Sequence, residues 1–214
     1  MEIFGPNPKT VSHQNIKDYL ELRYNHFVKT LSWDLIYSQK SEYDEYDLPN
    51  ALFTVVYQNN KCVGGARLMP TIASTPRKGK PPLTYMLRDF VTGNLEAGIT
   101  ENDMLEDLPE GSGTWEMTRF VSTSPEVTSF MLSHINDFLY GNGVDQVVTI
   151  SPHLMPRVLR KLGYDVREIS RPLTFDDKRY IALVTTVHPP KCSASTDTKN
   201  PKNCKSKLFT AQGV

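Results

Sequence analysis

The amino-acid sequence predicts a mixed α/β fold, an α-β-α sandwich of three layers around a central sheet of mixed direction. Three observations predict it. The elements run helix, strands, helix, strand, helix, strands, the order expected when helices cover both faces of one sheet. A length of 214 residues suits one domain and hardly accommodates two. With 39% hydrophobic and 22% charged residues, the chain has enough apolar side chains for a packed core. The domain is expected over residues 1–188, followed by a basic tail, 189–214, whose Ser, Thr, Lys, Asn and Pro content predicts disorder.

Residues 14–29 read as one helix with Ile16, Leu20, Arg23 and Phe27 on a single face. Arg23 interrupts that apolar stripe, so it needs an acidic partner or a ligand. Residues 32–50 (SWDLIYSQKSEYDEYDLPN) have no clear period and read as a long loop rich in acids and tyrosines. Strands are expected at 52–57 and 62–69 around a polar turn at 58–61. Gly64 and Gly65 inside the second strand predict a bulge or a close backbone approach. Residues 72–82 read as loop, and 83–90 as a short element of undetermined type. Residues 93–113 carry Glu101, Asp103, Glu106, Asp107 and Glu110 with no basic residue, and read as a solvated surface insertion with room for one helical turn.

Residues 114–121 (TWEMTRFV) read as a central strand. A helix then opens on Ser124-Pro125-Glu126, with a capping serine, proline at the first position and an acid in the first turn. Its buried face is Val127, Phe130, Met131, Ile135, Phe138 and Leu139, beside which His134 reads as structural, and Gly141 and Gly143 end it. A strand at 144–150 and a short helix at 156–162, stopped by Gly163, come next. Strands at 165–169 and 180–187 close the domain.

Charge and motifs exclude several functions. The 24 basic residues equal the 24 acidic ones, but the tail carries five lysines against Asp197, a local +4 that leaves 1–188 at −4. A globally basic, nucleic-acid-binding chain is thereby excluded. The longest apolar run, 180–187, is far short of the roughly 20 residues that span a bilayer. The N-terminal MEIFGPNPKT lacks the basic and apolar regions of a signal peptide, so a cytoplasmic location is expected and no membrane partner. Cys62, Cys192 and Cys204 have no CxxC or zinc-ligand spacing and read as plain thiols, with no metal expected. The chain contains no GxxxxGK[ST], GxGxxG, HExxH or GxSxG.

What remains is a series of acids, arginines and aromatics: Arg23-x3-Phe27-x5-Trp33, Glu42-x-Asp44-x2-Asp47, Arg67-Leu68, Leu87-x2-Phe90, and Trp115-Glu116-x-Thr118-Arg119-Phe120. In this order they resemble the acyl-homoserine-lactone synthases, the autoinducer synthases of bacterial quorum sensing, over the stretch from Arg23 to about Asp165. The resemblance implies a sandwich related to the N-acetyltransferase (GNAT-like) fold. The acetyltransferases' own pyrophosphate loop, [QR]-x-x-G-x-[GA], is absent; Arg160-Lys-Leu-Gly163-Tyr-Asp fails at its last position.

The resemblance also implies a reaction. The α-amine of S-adenosylmethionine attacks an acyl thioester, carried by acyl carrier protein or coenzyme A. The methionine carboxylate then displaces methylthioadenosine and closes a lactone, so S-adenosylmethionine is a substrate and no cofactor is needed. Implied substrate contacts are Arg23, Phe27, Trp33, Asp44, Asp47, Arg67, Phe90, Arg119 and Phe120. Carboxylates and aromatic faces suit the ammonium and sulfonium, and Arg23, Arg67 or Arg119 suits the carboxylate. Alternatively, Asp44 and Asp47 balance Arg23 and Arg67 in an ion-pair network. Glu116 is the candidate general base, acting through a water, or else the structural partner of an arginine. Strand alternation puts Glu116, Thr118 and Phe120 on one face and Trp115, Met117 and Arg119 on the other unless a bulge intervenes, so Glu116 should pair with an arginine other than Arg119. Backbone N–H groups after Arg119 are placed to polarise the thioester carbonyl.

At the donor end, Thr149 and Ser151 correspond to the family's hydroxyl that senses the acyl chain's third carbon, although Ser151 is equally a cap before Pro152. Arg157 and Lys161, with Arg160 beside them, correspond to the carrier-docking helix, or form an ordinary solvated basic face. Two rivals stay open: an acyltransferase of the same fold with another amine acceptor, and a catalytically silent module that binds S-adenosylmethionine or a carrier protein.

Overall fold

A computed structural model describes residues 1–95, 99–175 and 177–190; Cys192, Cys204 and the tail beyond residue 190 lie outside them. After a short strand β1 (Glu2–Phe4), helix α1 (His13–Arg23) starts on a reciprocal cap, in which Ser12 Oγ accepts the Asn15 N–H and Asn15 Oδ1 accepts the Ser12 N–H. The helix predicted through residue 29 changes character after Arg23. Tyr24–Thr30 continues as a wider π-helix, in which the Leu31 N–H donates to the His26 carbonyl five residues back, at 2.9 Å. Inserted residues of this kind re-aim side chains, frequently at functional sites. Here the Trp33 N–H then reaches the Phe27 carbonyl at 2.9 Å, which folds Trp33 back onto the helix.

The predicted loop 32–50 contains a small hairpin, β2 (Tyr37–Ser38) and β3 (Ser41–Glu42), turning on Gln39 and Lys40 at φ 49° and 65°. Two-residue hairpin turns of this hand usually carry Asn or Gly, and their lack hid the turn. Strands β4 (Leu52–Gln58) and β5 (Lys61–Pro70) match expectation within a residue or so. The predicted loop 72–82 holds a second hairpin, β6 (Thr75–Arg77) and β7 (Lys80–Leu83), and the unassigned 83–90 is helix α2 (Met86–Val91). Then come β8 (Thr114–Ser122), α3 (Pro125–Gly141), β9 (Gln146–Pro152), α4 (Met155–Lys161), β10 (Val166–Glu168), β11 (Leu173–Phe175) and β12 (Lys178–Thr186). The Ser124 hydroxyl caps α3 as predicted, and His134 Nε2 bonds the Gly5 carbonyl at 2.8 Å, a structural role.

The main sheet runs β1-β4-β5-β8-β9-β12-β10, with β11 also on β12. Among the described residues β8 and β9 are parallel and the other pairs antiparallel, so the sheet is mixed. Helices α1 and α2 cover one face, and α3 and α4 the other. The two glycines of β5 show the division. A Cβ on Gly64 would press on Val127 and Met131 of α3, whereas one on Gly65 would strike the Tyr19 ring of α1 at 2.3 Å.

Two irregularities shape the centre. The β5–β8 register slips between Gly65 and Arg67, and Arg119 has φ 51°, so β8 bulges there. The bulge corrects the predicted alternation. Arg119 joins Glu116 and Thr118 on the α1–α2 face, while Phe120 turns toward α3 with Trp115 and Met117. Second, β8 and β9 pair over only three residues, Thr114↔Gln146 to Glu116↔Val148, and then part.

The acidic segment is more than a solvated insertion. Glu101–Asp103 forms the anticipated single turn, but Ile99 is buried and Met104 and Leu108 pack on the core. Leu105 donates to the Ile169 carbonyl and Arg171 to the Asp103 carbonyl, at 2.9 and 2.8 Å, covering the sheet edge beyond β10. No helix of the described residues is long and apolar enough to cross a membrane. Cys62 is a free thiol whose pKa burial pushes up to about 12, which makes it unreactive.

Because the Tyr19 ring and the Thr54 carbonyl both stand within 3 Å of a Cβ at position 65, Gly65→Ala is expected to destabilise the fold by about 2–3 kcal/mol through overpacking. Urea unfolding measures the loss; a midpoint unchanged from wild type would contradict it.

Candidate active site

Three arginines and three carboxylates meet where α1, β5 and β8 face the 42–47 segment. Arg23 Nε pairs with Glu42, and its Nη1 lies 2.7 Å from Asp47. Arg67 Nη1 pairs with Asp44 and lies 2.9 Å from Asp47, its Nη2 lies 3.1 Å from Asp44, and its Nε donates to Thr118 Oγ1 at 3.0 Å. Arg119 Nη2 lies 3.2 Å from Glu42 and 2.9 Å from Asp44. The acidic partner that Arg23 required on the apolar face of its helix is therefore present, and the network read as the alternative for Asp44 and Asp47 is formed.

The cluster has a dry floor and a wetter lip. The side chains of Arg23, Arg67 and Glu42 are 0% exposed, whereas those of Asp44, Asp47 and Arg119 keep 16%, 15% and 11%. Burial by itself would raise the Asp44 carboxyl, but Arg67 and Arg119 beside it overcome this and hold it well below the usual carboxylate range. Arg23 Nη2 makes no hydrogen bond and stands 3.8 Å from Asp44.

An aromatic wall rises from the lip. Phe27 and Trp33 are stacked, with centroids 4.8 Å apart and planes at 18°, and Trp33 meets Tyr180 edge-on at 6.0 Å. The Arg119 guanidinium lies 5.6 Å from the Phe27 ring centre. Phe90 of α2 packs against the same apolar cluster as Trp33.

Behind the cluster, Tyr46 lies under Arg67 and donates its hydroxyl to Asp89 at 2.6 Å. The buried Asp89 carboxylate also accepts from Thr84 N–H, Thr84 Oγ1 and Asn94 Nδ2. Sequence reasoning missed Asp89, because its partners come from three separate segments. Glu116 is fully enclosed, and its oxygens accept the N–H groups of Met86 and Leu87, each at 2.8 Å. The arginine partner expected for it is thus replaced by two backbone amides. Burial pushes its carboxyl up to about 7 against the pull of those hydrogen bonds.

The remaining candidates lie apart from the cluster. Thr149 and Ser151 are buried on β9, paired with Leu183 and Ile181. They point to the α3–α4 face, as Phe120 does. Ser151 Oγ has no hydrogen-bond partner. Arg157 and Lys161 are exposed on α4, while Arg160 beside them pairs with Glu168 at 3.0 Å. A surface groove of about 560 Å³ lies elsewhere, between α2 and residues 101–110; its lining is acidic and holds none of the clustered arginines.

The fold has known counterparts. The same sandwich occurs in a putative N-acetyltransferase from Lactobacillus plantarum, with a TM-score of 0.54 at 12% identity over 87% of this chain and 98% of that one. The likeness narrows further. The autoinducer synthase family model matches residues 7–79, a span that contains Arg23, Phe27, Trp33, the 42–47 acids and Arg67. An acyl-homoserine-lactone synthase from Acinetobacter nosocomialis is 24% identical over 179 residues, 77% of this chain and 88% of that protein. The structure of TofI in a ternary complex with an inhibitor and MTA superposes with a TM-score of 0.72 at 21% identity, over 89% of this chain and 94% of that one. That of BjaI, a CoA-dependent acyl-homoserine lactone synthase, with SAM and isopentyl-CoA, gives 0.67 at 17% identity over 87% and 82%. Motifs, family model, relatives and fold all liken the chain to the autoinducer synthases.

Asp44 supplies a testable linkage. Its folded pKa is depressed, so its stabilisation is complete above the ordinary value of 3.8 and is lost as pH falls through the lower folded value. Asp44→Asn is expected to cost about 3 kcal/mol at pH 7, by leaving two arginines short of a partner, and to flatten the acid limb of stability. Urea melts from pH 2 to pH 7 measure both; an unaltered acid limb would remove Asp44 from the linkage.

Proposed function

We propose that the chain makes an N-acyl-homoserine lactone from S-adenosylmethionine and an acyl thioester. The observation that carries this reading is the lip. A carboxylate pair and one reachable guanidinium stand beside a stacked aromatic pair, which suits a substrate with an ammonium, a carboxylate and a sulfonium. Of the three arginines, Arg119 alone keeps some side-chain exposure, 11% against 0%, so it receives the substrate carboxylate; Arg23 and Arg67 hold the floor. Asp44 and Asp47 orient the ammonium, while Phe27, Trp33 and Phe90 face the sulfonium and its adenosyl group.

In the first step the amine nitrogen attacks the thioester carbonyl, a C–N bond forms, the C–S bond breaks and a thiol leaves. In the second, a carboxylate oxygen attacks the γ-carbon, the sulfonium C–S bond breaks, and methylthioadenosine leaves as the lactone closes. A free α-amine has a pKa of about 7.7–8.0, so its deprotonation near neutral pH costs only on the order of 1 kcal/mol. The lip carboxylates raise that pKa and add to this cost; one proton passes to solvent before the nitrogen can attack, and the second N–H proton goes to the departing thiolate, which leaves as the thiol.

The parting of β8 and β9 beyond Glu116 supports entry of the thioester between them, where amides following Arg119 polarise its carbonyl. The acyl chain then runs toward the α3–α4 face, along Phe120, Thr149 and Ser151. The exposed Arg157 and Lys161 suit an acidic carrier protein, and the BjaI complex makes coenzyme A the competing carrier.

Mass spectrometry of the purified chain with S-adenosylmethionine and a panel of acyl-carrier-protein and acyl-CoA thioesters tests the reading. Methylthioadenosine and acyl-homoserine lactone are expected together. Acyl amide without methylthioadenosine would instead assign an acyltransferase with another acceptor, and binding without either product a silent module. Trp33→Ala, which removes half of the aromatic stack, is expected to raise KM for S-adenosylmethionine about tenfold, the loss of a cation–π contact of 1–2 kcal/mol. An unchanged KM would exclude Trp33 from the site.

A further inference from the structure

Glu116 occupies the middle of the sheet, thirty residues from the helix it touches. Its Oε2 accepts the Met86 N–H and its Oε1 the Leu87 N–H, both at 2.8 Å, and these are the first two residues of α2. Tyr85, which precedes them, offers no side-chain cap to the helix. A six-residue helix has no stability of its own; its first amides must be satisfied from outside, and Glu116 satisfies two of them.

A second carboxylate ties the same helix on its other side. Asp89 accepts from the Tyr46 hydroxyl, and Tyr46 lies under Arg67. Helix α2 therefore bridges β8 to the 42–47 segment. The side chains that it presents between these ties are Leu87, Phe90 and Val91, all packed in the cluster that supports Trp33. A general base must bring an oxygen to within about 3 Å of the proton it removes. Glu116 is enclosed, and each of its oxygens is aimed at an amide of the protein.

We infer that Glu116 is a positioning residue, a clamp whose carboxylate holds α2 against β8 and thereby sets the aromatic wall formed by Trp33 and Phe90. The charged groups acting on it are Arg67, which favours the carboxylate, and Asp89, which opposes it. A carboxylate accepts from both amides at once. A Gln side chain accepts from one and turns an N–H₂ group toward the other, so it releases half of the clamp.

The clamp can also be cut from the opposite side with Glu116 intact. Met86 is the first residue of α2, where proline is favoured, and Tyr85 at φ −101°, ψ 152° has the extended backbone required before proline. Met86→Pro removes one donor, and Met86→Ala controls for the side chain. In a Trp115→Phe background, Trp33 is the remaining tryptophan and its emission reports the wall.

Relative to Met86→Ala, Met86→Pro is expected to red-shift Trp33 emission and to speed hydrogen exchange at the Leu87 amide. Glu116→Gln is expected to do the same, to raise KM for S-adenosylmethionine about tenfold, to keep kcat within about threefold, and to leave the acid limb of the pH–kcat profile in place. Met86→Pro indistinguishable from Met86→Ala would overturn the clamp. So would a kcat loss of about 100-fold or more in Glu116→Gln with KM and emission unchanged, since that is the signature of a base. Should Glu116→Gln fail to fold, the Met86 pair decides alone. The kinetic half rests on the reaction proposed above; emission and exchange do not, and they still report the clamp if the wild-type chain makes no lactone.

Discussion

Two guanidinium groups without solvent exposure, Arg23 and Arg67, impose the constraint on which the rest of the site depends. Removing an ion from water costs several kcal/mol even after the protein relaxes, and only well-placed countercharges offset it. Three carboxylates are needed, and they come from one short stretch, residues 42–47. That stretch must fold over the end of α1, so it takes up the β2–β3 hairpin, brings Tyr46 beneath Arg67, and leaves Asp44 and Asp47 at the rim. The same pairing draws in Arg119, which reaches the acids because β8 bulges at that residue. The result is a neutral cluster, rigid at its base, whose accessible edge carries both signs of charge.

On the proposed function, such a cluster serves substrate recognition more than stability. Replacing buried ion pairs with apolar packing is often neutral or favourable, so on that reading the cluster contributes geometry rather than net stability. Here the geometry is a dipolar edge held against a stacked Phe27–Trp33 pair and close to the seam where two strands separate. On the proposed function, a zwitterionic, sulfonium-bearing substrate would meet complementary groups along its length, and the seam would admit the second substrate from the other side of the sheet.

Much of this was legible in the chain. Arg23 on an apolar helical face announced its acidic partners, the Ser124-Pro125-Glu126 start of α3 was unambiguous, and the paired glycines of β5 marked close contacts with helices on both faces. Features fixed by long-range contacts were not legible. Glu116 and the amides of α2 are thirty residues apart, so no local pattern links them. The bulge at Arg119 and the turn at Gln39 and Lys40 place residues without special αL preference at positive φ, where tertiary contacts override propensity. The π-helical turn after Arg23 escaped because its side chains keep an apolar spacing close to that of an α-helix.

The short seam between β8 and β9 also divides the molecule mechanically. On one side lies the sheet β1-β4-β5-β8, on the other β9-β12-β10 with β11, and three residue pairs stitch them together. Helix α3 lies across the join as a splint: Val127, Met131 and Ile135 share a cluster with Val56, Ala66 and Leu68 of the first half and Val147 of the second, while Leu132 packs on Ile181 and Leu183. Cooperativity between the two halves is thus carried by side-chain packing beneath the sheet rather than by the backbone ladder within it. The fold can keep a gap open at its centre and still melt as one unit.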